Sequence, residues 1–177
     1  MTIKTIFLDR DGVVNEEINY LFKIEDFIFI DGVFEACCYF QKLGYQIIII
    51  TNQSGIARGY FSENDFQIIS QWMKSRFDNQ NIKILDIFHC PHSAESNCEC
   101  RKPKPGMLLK AKSKHSINIK KSWMIGDKER DIAAANAAGI EKTILLRSSY
   151  EIYKPSNASF TIDSILESIA VIQEIES

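Results

Sequence analysis

Two carboxylates stand two residues apart in FLDRDG, where Asp9 and Asp11 follow an apolar run. In an extended backbone such residues project to the same side, with Arg10 pointing away. Two carboxylates directed into one pocket repel each other unless a cation lies between them, and Mg²⁺ is a hard ion that oxygen ligands suit. Asp127 follows a later apolar run and offers a third carboxylate, while Gly12 permits a sharp backbone turn after the first strand. We therefore predict a magnesium site formed by Asp9, Asp11 and Asp127.

Groups that bind phosphate accompany this acidic pair. A D-x-D pair standing alone is more often a capped strand end or surface charge. Here Thr51 follows a second strand pattern, and Asn52-Gln53-Ser54-Gly55 behind it offers amide, hydroxyl and backbone donors suited to phosphate oxygens. Lys102 adds a positive point charge. The combination predicts phosphate chemistry rather than an isolated cap.

A second metal site is predicted in CPHSAESNCEC, residues 90–100. Its candidate ligands form two pairs with one residue inside each pair: Cys90 with His92, and Cys98 with Cys100. The five-residue link lets the pairs close on one ion, and three thiolates with one imidazole suit a closed, tetrahedral structural zinc site. A redox dithiol, a disulfide and unligated thiols are the alternatives that spacing leaves open. His89 is an alternative ligand, although a packing role at the strand end suits it better.

The zinc ligands run directly into a cluster of positive charge. A loop of this length without secondary structure would be mobile, and binding would require it to become ordered. Zinc, together with Pro103 and Pro105, would fix the segment before substrate arrives. The segment fixed in this way carries Arg101, a planar guanidinium, and Lys102, a point charge.

The composition is that of a globular protein. The 177 residues fit one domain over 1–177, with 45% hydrophobic residues, 25% charged residues and a net charge of -2. This balance predicts no broad attraction to nucleic acid, and a monomer. Neither a signal peptide nor a run of 18 apolar residues is present, which predicts a cytoplasmic protein without a membrane partner. Five cysteines, three of them clustered, favour metal over disulfides, and Cys37 and Cys38 fit a buried helix face.

Strand and helix patterns alternate along the chain. The predicted strands are 3–8, 45–51, 82–90, 121–126 and 142–146, and the predicted helices are 33–43, 66–77, 107–115, 129–138 and 163–175. Asp31 is a candidate N-cap for the first helix, and Ser62 with Asp65 forms a candidate capping box before the second. The alternation predicts an α/β fold with three layers, in which a doubly wound parallel sheet carries helices on both faces.

In such a sheet, ligands bind beyond the carboxyl ends of the strands. The chemically suggestive residues all follow predicted strands, so they are expected at one edge. Residues 12–30 do not fit the alternation and are predicted to form a small hairpin or flap over that edge. No interval is long enough for a large cap domain.

In chain order, strand-DxDG, strand-TN, Lys-Pro and strand-GDxxxD resemble the four motifs of the haloacid dehalogenase (HAD) superfamily of phosphotransferases. The segments DRDGVVN, TNQSGIARGYF, CPH, CECRKPKPG and GDKERDI together resemble its histidinol-phosphatase-like branch, over nearly the whole chain. The resemblance implies a HAD-like Rossmannoid fold, a catalytic Mg²⁺, a structural Zn²⁺ and phosphatase activity. One departure is CPHSA, where the family commonly has CPHHP and a longer link to the second cysteine pair.

The resemblance also implies a role for each residue of the site. Asp9 would be the nucleophile that forms an aspartyl-phosphate, and Asp11 the general acid and base. Asp9, the backbone carbonyl of Asp11 and Asp127 would hold magnesium. Thr51 and Lys102 would bind the oxygens of the transferring phosphoryl group. Asp131, four residues beyond Asp127, is expected to orient this site rather than to ligate the metal.

The resemblance implies as partner a small phosphorylated sugar that carries a second phosphate, to which Arg101 can offer a bidentate fork. The candidate substrate contacts are Glu17, Asn19, Tyr20, Asn52, Gln53, Ser54, Arg101 and Lys128. Histidinol phosphate is the alternative substrate, and the flap together with Arg101 and Lys128 would decide between them. A zinc-stabilised nucleic-acid-binding module is a remote alternative, because its basic patch would be confined to residues 101–104.

Overall fold

The structure, a computed structural model, describes residues 2–147 and 155–177. Its strands are β1 Thr5–Leu8, β2 Gln46–Asn52, β3 Ile84–Cys90, β4 Trp123–Gly126, β5 Lys142–Leu146 and β6 Phe160–Ile162. They form one parallel sheet in the order β3-β2-β1-β4-β5-β6. The α-helices are α1 Val33–Lys42, α2 Glu63–Asp78, α3 Gly106–His115, α4 Glu129–Ala138 and α5 Glu167–Glu176. No helix in these two ranges is long and apolar enough to cross a bilayer.

Helices cover both faces of the sheet, which confirms the three-layer arrangement. Alternate strand residues point to opposite faces, so Ile47 and Ile49 join one buried cluster with α1, α2 and α5. Ile48 and Ile50 join the other cluster, with α3 and α4. The central strands are buried on both sides, which is why they read as nearly continuous apolar runs.

The parallel register brings the strand ends to one edge. Leu8 of β1 pairs with Ile49 of β2 and with Ile125 of β4. Asp9, Thr51 and Asp127 therefore lie one or two residues beyond this paired row, at the same edge of the sheet. The predicted placement of the chemical residues at the carboxyl edge is confirmed.

Some local predictions were wrong or incomplete. The sequence patterns did not predict β6, which is three residues long and pairs with β5 at the sheet edge. Asp31 is not the N-cap of α1; Gly32 occupies that position with a φ of 80° and no side-chain cap. The capping box of Ser62 and Asp65 is confirmed, since each side chain accepts a hydrogen bond from the other residue's backbone N–H.

Residues 12–30 form a flap rather than a regular hairpin. Isolated bridges join Asn15 to Asp11 and to Phe29, and a short 3₁₀ helix spans Ile24–Asp26. Buried Val13 and Val14 fix the start of the segment in the core cluster that contains α1. The flap is therefore tied down at its base while residues 17–21 reach the carboxyl edge of the sheet.

Candidate active site

Asp9 lies at the centre of the site, directly after β1, and is only 4% exposed. The Nζ of Lys102 lies 2.8 Å from its Oδ1 and 2.7 Å from Oδ1 of Asp131, and donates to the carbonyl of Ile50 at 2.9 Å. Burial and the charge of Asp131 raise the pKa of Asp9, and the Lys102 ammonium offsets this only in part. One ammonium thus lies between two buried carboxylates, and Asp9 lines a pocket that opens above it.

Asp11 is held by three donors. Arg10 donates to both of its carboxylate oxygens, at 2.9 and 3.1 Å from Nη2. Asn15 donates to Oδ1 and Gln53 to Oδ2, each at 3.0 Å. The prediction that Arg10 points away was wrong: its side chain is buried, and its Nη2 also donates to the carbonyl of Leu21. The chain leaves the extended conformation after Asp9, which turns Arg10 back onto its neighbour.

Asp127 follows β4 and lies against the turn after Asp9. Gly12 has a φ of 91°, and a Cβ there would come within 2.2 Å of Oδ2 of Asp127. A side chain at position 12 would therefore displace this carboxylate, so both the conformation and the close approach require glycine. Oδ2 of Asp127 accepts from Lys128 at 3.0 Å, whereas its Oδ1 is buried without a hydrogen-bond partner in the described chain.

These acids fit a divalent cation. Carboxylate oxygens of Asp9, Asp127 and Asp131 all lie within 4.8 Å of one another. The partnerless Oδ1 of Asp127 is the kind of buried acceptor that a cation would satisfy, and an all-oxygen donor set suits Mg²⁺. Asp131 is also paired with Lys102 and accepts from the Lys128 backbone N–H. These bonds agree with an orienting role for Asp131, which stays a prediction.

The predicted polar donors after β2 lie at the pocket, but their amides are already engaged. Gln53 donates to Oγ1 of buried Thr51 at 2.8 Å as well as to Asp11. The Asn52 amide exchanges two hydrogen bonds with the backbone of Lys102, at 3.0 and 3.1 Å. These side chains therefore fix the positions of Thr51, Asp11 and Lys102, and a direct contact with substrate stays a prediction.

The pocket has a volume of about 260 Å³ and lies between the flap and the loops that follow the strands. It is lined by the predicted residues Asp9, Asp11, Glu17, Asn19, Tyr20, Asn52, Gln53, Ser54 and Arg101, and also by Ile18, Leu21, Gly55, Arg58 and Arg130. The predicted residues Thr51, Lys102, Asp127 and Lys128 are not among its lining residues. The amine of Lys128 bonds Glu17 and Asp127 beside the pocket. Arg58 and Arg130 stood inside the quoted motifs GIARGY and GDKERD, but nothing in the local pattern indicated that these side chains face the pocket.

The cysteine segment closes on itself beside the pocket. Sγ of Cys90 lies 3.6 Å from that of Cys98 and 2.8 Å from that of Cys100. Nδ1 of His92 lies 3.4 Å from Sγ of Cys90 and 3.2 Å from Sγ of Cys100. All four ligand atoms lie within 4.8 Å of one another, and these cysteines are free thiols. Three sulfurs and one imidazole nitrogen in such a cluster fit a structural Zn²⁺.

His89 lies outside this cluster. Its ring packs on Phe66 at a centroid distance of 4.1 Å, and its Nε2 pairs with Glu63 at 2.5 Å. The alternative of His89 as a zinc ligand is therefore wrong, and the packing role is confirmed.

We expect Cys98→Ser to lower zinc affinity by at least about 100-fold, because removing a direct ligand costs more than the 10- to 100-fold typical of outer-shell changes. The thiol suits the ligand role: burial opposes ionisation, but hydrogen bonds from the Arg101 backbone and from neighbouring side chains lower its pKa to about 6. Zinc content and hydrogen exchange over residues 91–101 measure the effect. Cys38→Ser, in a partly buried cysteine on α1, is the matched control. Unchanged zinc content in Cys98→Ser would contradict the assignment.

Magnesium affinity should fall in acid. Burial and the charge of Asp131 raise the pKa of Asp127 to about 6, against the lowering effect of Lys128. Magnesium binds the carboxylate form, so protons compete with the metal below that pH. We expect the Mg²⁺ concentration for half-maximal activity to rise about fourfold between about pH 7.5 and about pH 5.5. A half-saturation constant that stays flat over this range, in protein shown to be folded by circular dichroism, would contradict the prediction.

Comparisons with known proteins agree with this site. The family model described as HAD-hydrolase-like matches residues 99–171. A D-glycero-alpha-D-manno-heptose-1,7-bisphosphate 7-phosphatase from Photorhabdus laumondii is 45% identical, covering 93% of this chain and 97% of the relative. A D-glycero-beta-D-manno-heptose-1,7-bisphosphate 7-phosphatase from Vibrio cholerae is 44% identical, covering 96% of this chain and 94% of the relative.

A solved structure agrees with these sequences. The D,D-heptose 1,7-bisphosphate phosphatase of B. bronchiseptica, complexed with magnesium and phosphate, has a TM-score of 0.87 at 26% identity, covering 98% of this chain and 99% of that one. Fold, site and family model together define a HAD-like hydrolase of the phosphatase type. The relatives that cover nearly its whole length narrow this further: the chain belongs to the family of D-glycero-D-manno-heptose-1,7-bisphosphate 7-phosphatases.

Proposed function

We propose that this protein is a magnesium-dependent phosphatase that removes the 7-phosphate of D-glycero-D-manno-heptose 1,7-bisphosphate and leaves heptose 1-phosphate. The observation that carries the proposal is buried Asp9, bonded to Lys102 and close to Asp127, beneath a pocket lined by three arginines. The names of the relatives support the substrate. The product would enter the synthesis of nucleotide-activated heptose for surface polysaccharide.

The reaction divides into two steps at Asp9. A carboxylate oxygen of Asp9 attacks phosphorus in line, the bond from phosphorus to the C7 oxygen breaks, and protonated Asp11 donates its proton to that oxygen. Asp11 then accepts a proton from water, which attacks the aspartyl-phosphate and releases inorganic phosphate. Magnesium, when held by Asp9, Asp127 and the backbone carbonyl of Asp11, supplies positive charge that offsets the repulsion between carboxylate and phosphate.

The residues around these two aspartates do the positioning. Lys102, with Thr51, binds the oxygens of the transferring phosphoryl group, where donors act most strongly because water is excluded. Arg10, Asn15 and Gln53 fix Asp11 when it is a carboxylate. Rotation of Asp11 toward the leaving oxygen exchanges these bonds for one to the substrate.

We further propose that the chain acts as one domain over 1–177, as a monomer in the cytoplasm, without nucleic acid or membrane as a partner. A thiolate-rich zinc site suits a reducing compartment. The net charge of -2 supports the absence of a nucleic-acid partner.

Phosphate release from heptose 1,7-bisphosphate and from histidinol phosphate, measured side by side with magnesium, tests the proposal. Loss of the 7-phosphate alone, with the 1-phosphate retained in the product by phosphorus NMR, would support it. Preference for histidinol phosphate would move the chain to the other substrate class. Turnover of neither by zinc-loaded protein would leave the heptose assignment wrong.

A further inference from the structure

The pocket carries three arginines, and they differ in what they already bind. Nη1 of Arg101 donates to the carbonyl of His92 at 3.3 Å. Arg58 has an exposed side chain and makes no side-chain hydrogen bond or ion pair within the described residues. The Arg130 side chain likewise makes no hydrogen bond or ion pair within residues 2–147 and 155–177, but unlike that of Arg58 it has a buried donor, Nε, without a partner. Burial raises the pKa of Asp131, whereas the charge of Lys102 and, to a smaller extent, that of Arg130 lower it. A buried donor left unpaired is unfavourable, so it calls for an acceptor that arrives with a ligand.

The sheet order places Arg130 on the opposite side of Asp9 from Arg58 and Arg101. Asp9 follows β1, the central strand, which pairs with β2 on one side and with β4 on the other. Arg58 and Arg101 belong to loops after β2 and β3, whereas Arg130 is the second residue of α4, directly after β4. The pocket therefore has guanidinium groups on both sides of Asp9.

The two lysines at this edge are already paired with carboxylates. Lys102 bonds Asp9 and Asp131, and Lys128 bonds Glu17 and Asp127. Among the described cations that line the pocket, Arg130 is the one with a buried donor left unpaired, and a planar guanidinium suits two phosphate oxygens at once.

We propose that Arg130 determines substrate specificity by binding the phosphate that is not transferred, the one on C1, from the β4 side of the pocket. This inference rests on the proposed function and deepens it. The C1 phosphate projects in different directions in the alpha and beta anomers. A guanidinium on one side of Asp9 therefore contacts one anomer better, and Arg130 contributes to the choice between them.

The test compares a bisphosphate with the matching monophosphate. We expect Arg130→Gln to lower kcat/KM for the preferred anomer of heptose 1,7-bisphosphate by about 10- to 100-fold, mainly through KM, because a charged hydrogen bond to ground state and transition state alike is lost. The loss for heptose 7-phosphate should be at least tenfold smaller, and the ratio of alpha to beta activity should move toward one. Arg130→Lys, which keeps a point charge, should recover part of the difference.

Arg76→Gln, on the exposed face of α2, is the matched control and should leave every ratio unchanged. Equal losses on bisphosphate and monophosphate would mean that Arg130 acts through structure alone, which would overturn the inference, as would wild-type ratios in Arg130→Gln.

If the proposed function is wrong, the experiment gives a different result from the one that overturns the role of Arg130. Wild-type protein that hydrolyses neither heptose bisphosphate anomer contradicts the substrate assignment whatever the variants do. Arg130 is then decided with fructose 1,6-bisphosphate and fructose 6-phosphate, whose ratio reports the second phosphate without heptose. A ratio unchanged by Arg130→Gln in that pair overturns the inference as well.

Discussion

Asp9→Asn is expected to lower kcat for phosphate release by at least about 10⁴-fold, because an amide cannot form the covalent intermediate and losing a nucleophile commonly costs this much or more. The same change should leave thermal stability equal or higher. Burial and the charge of Asp131 raise the pKa of Asp9, which means that the ionised carboxylate is unfavourable in the folded protein. A neutral amide of the same shape removes that repulsion.

The opposite signs of the two effects make the experiment decisive. Phosphate release under saturating magnesium gives kcat, and thermal melting of the zinc-loaded protein gives stability. Asp78→Asn, at the exposed end of α2 where Asp78 pairs with Lys83, is the matched control and should change neither quantity appreciably. Residual activity above about 1% of wild type would rule out Asp9 as the nucleophile.

The strands that carry the site were predictable because a strand that is buried on both faces appears in the sequence as a nearly continuous apolar run. QIIII and WMIG are almost wholly apolar, and polar residues begin at or just after the carboxyl end of each strand. The edge strand β6 gives no comparable signal, since only Ile162 of its three residues is buried. The carboxyl edge of the sheet, and with it Asp9, Thr51 and Asp127, therefore followed from the sequence alone.

The partners of the charged side chains did not follow, because tertiary proximity sets them. Arg10 was predicted to point away from Asp11 by strand alternation, but the chain turns out of the strand after Asp9 and the guanidinium folds back. The engagement of Gln53 with Asp11 joins residues 42 positions apart. Arg130 could be placed at the pocket only once α4 was oriented against the sheet. Local patterns thus locate the site, whereas packing decides what each charge does within it.

Lys102→Met should damage both activity and stability, unlike Asp9→Asn. Lys102 is 2% exposed and its ammonium is bonded to both Asp9 and Asp131. Methionine keeps an unbranched side chain of similar length but removes the charge. Loss of a preorganised donor to the phosphoryl oxygens should lower kcat/KM by about 10²- to 10³-fold. Two buried carboxylates left without their cation should cost about 3 kcal/mol of the free energy of unfolding.

The stability loss should depend on pH in a direction that the charges fix. In the wild type, burial alone would raise the pKa of Asp131, but the charge of Lys102 outweighs it and lowers that pKa. Asp131 therefore stabilises the wild type above its unfolded pKa, near 3.8, and this contribution is lost as the pH falls. Without Lys102, burial raises the pKa of both carboxylates, so the folded variant binds protons more readily than the unfolded chain and gains stability as the pH falls.

The gap in melting temperature between wild type and Lys102→Met should consequently narrow between about pH 8 and about pH 5. Lys104→Met is the matched control: this lysine lies two residues away, is partly exposed, and pairs with Glu99 at the surface. Its loss should cost no more than about 0.5 kcal/mol at either pH. A gap that is constant with pH would mean that the cost comes from packing. A Lys102→Met protein as stable and active as Lys104→Met would show that Asp9 and Asp131 do not depend on this ammonium, and the charge arrangement inferred for the site would be wrong.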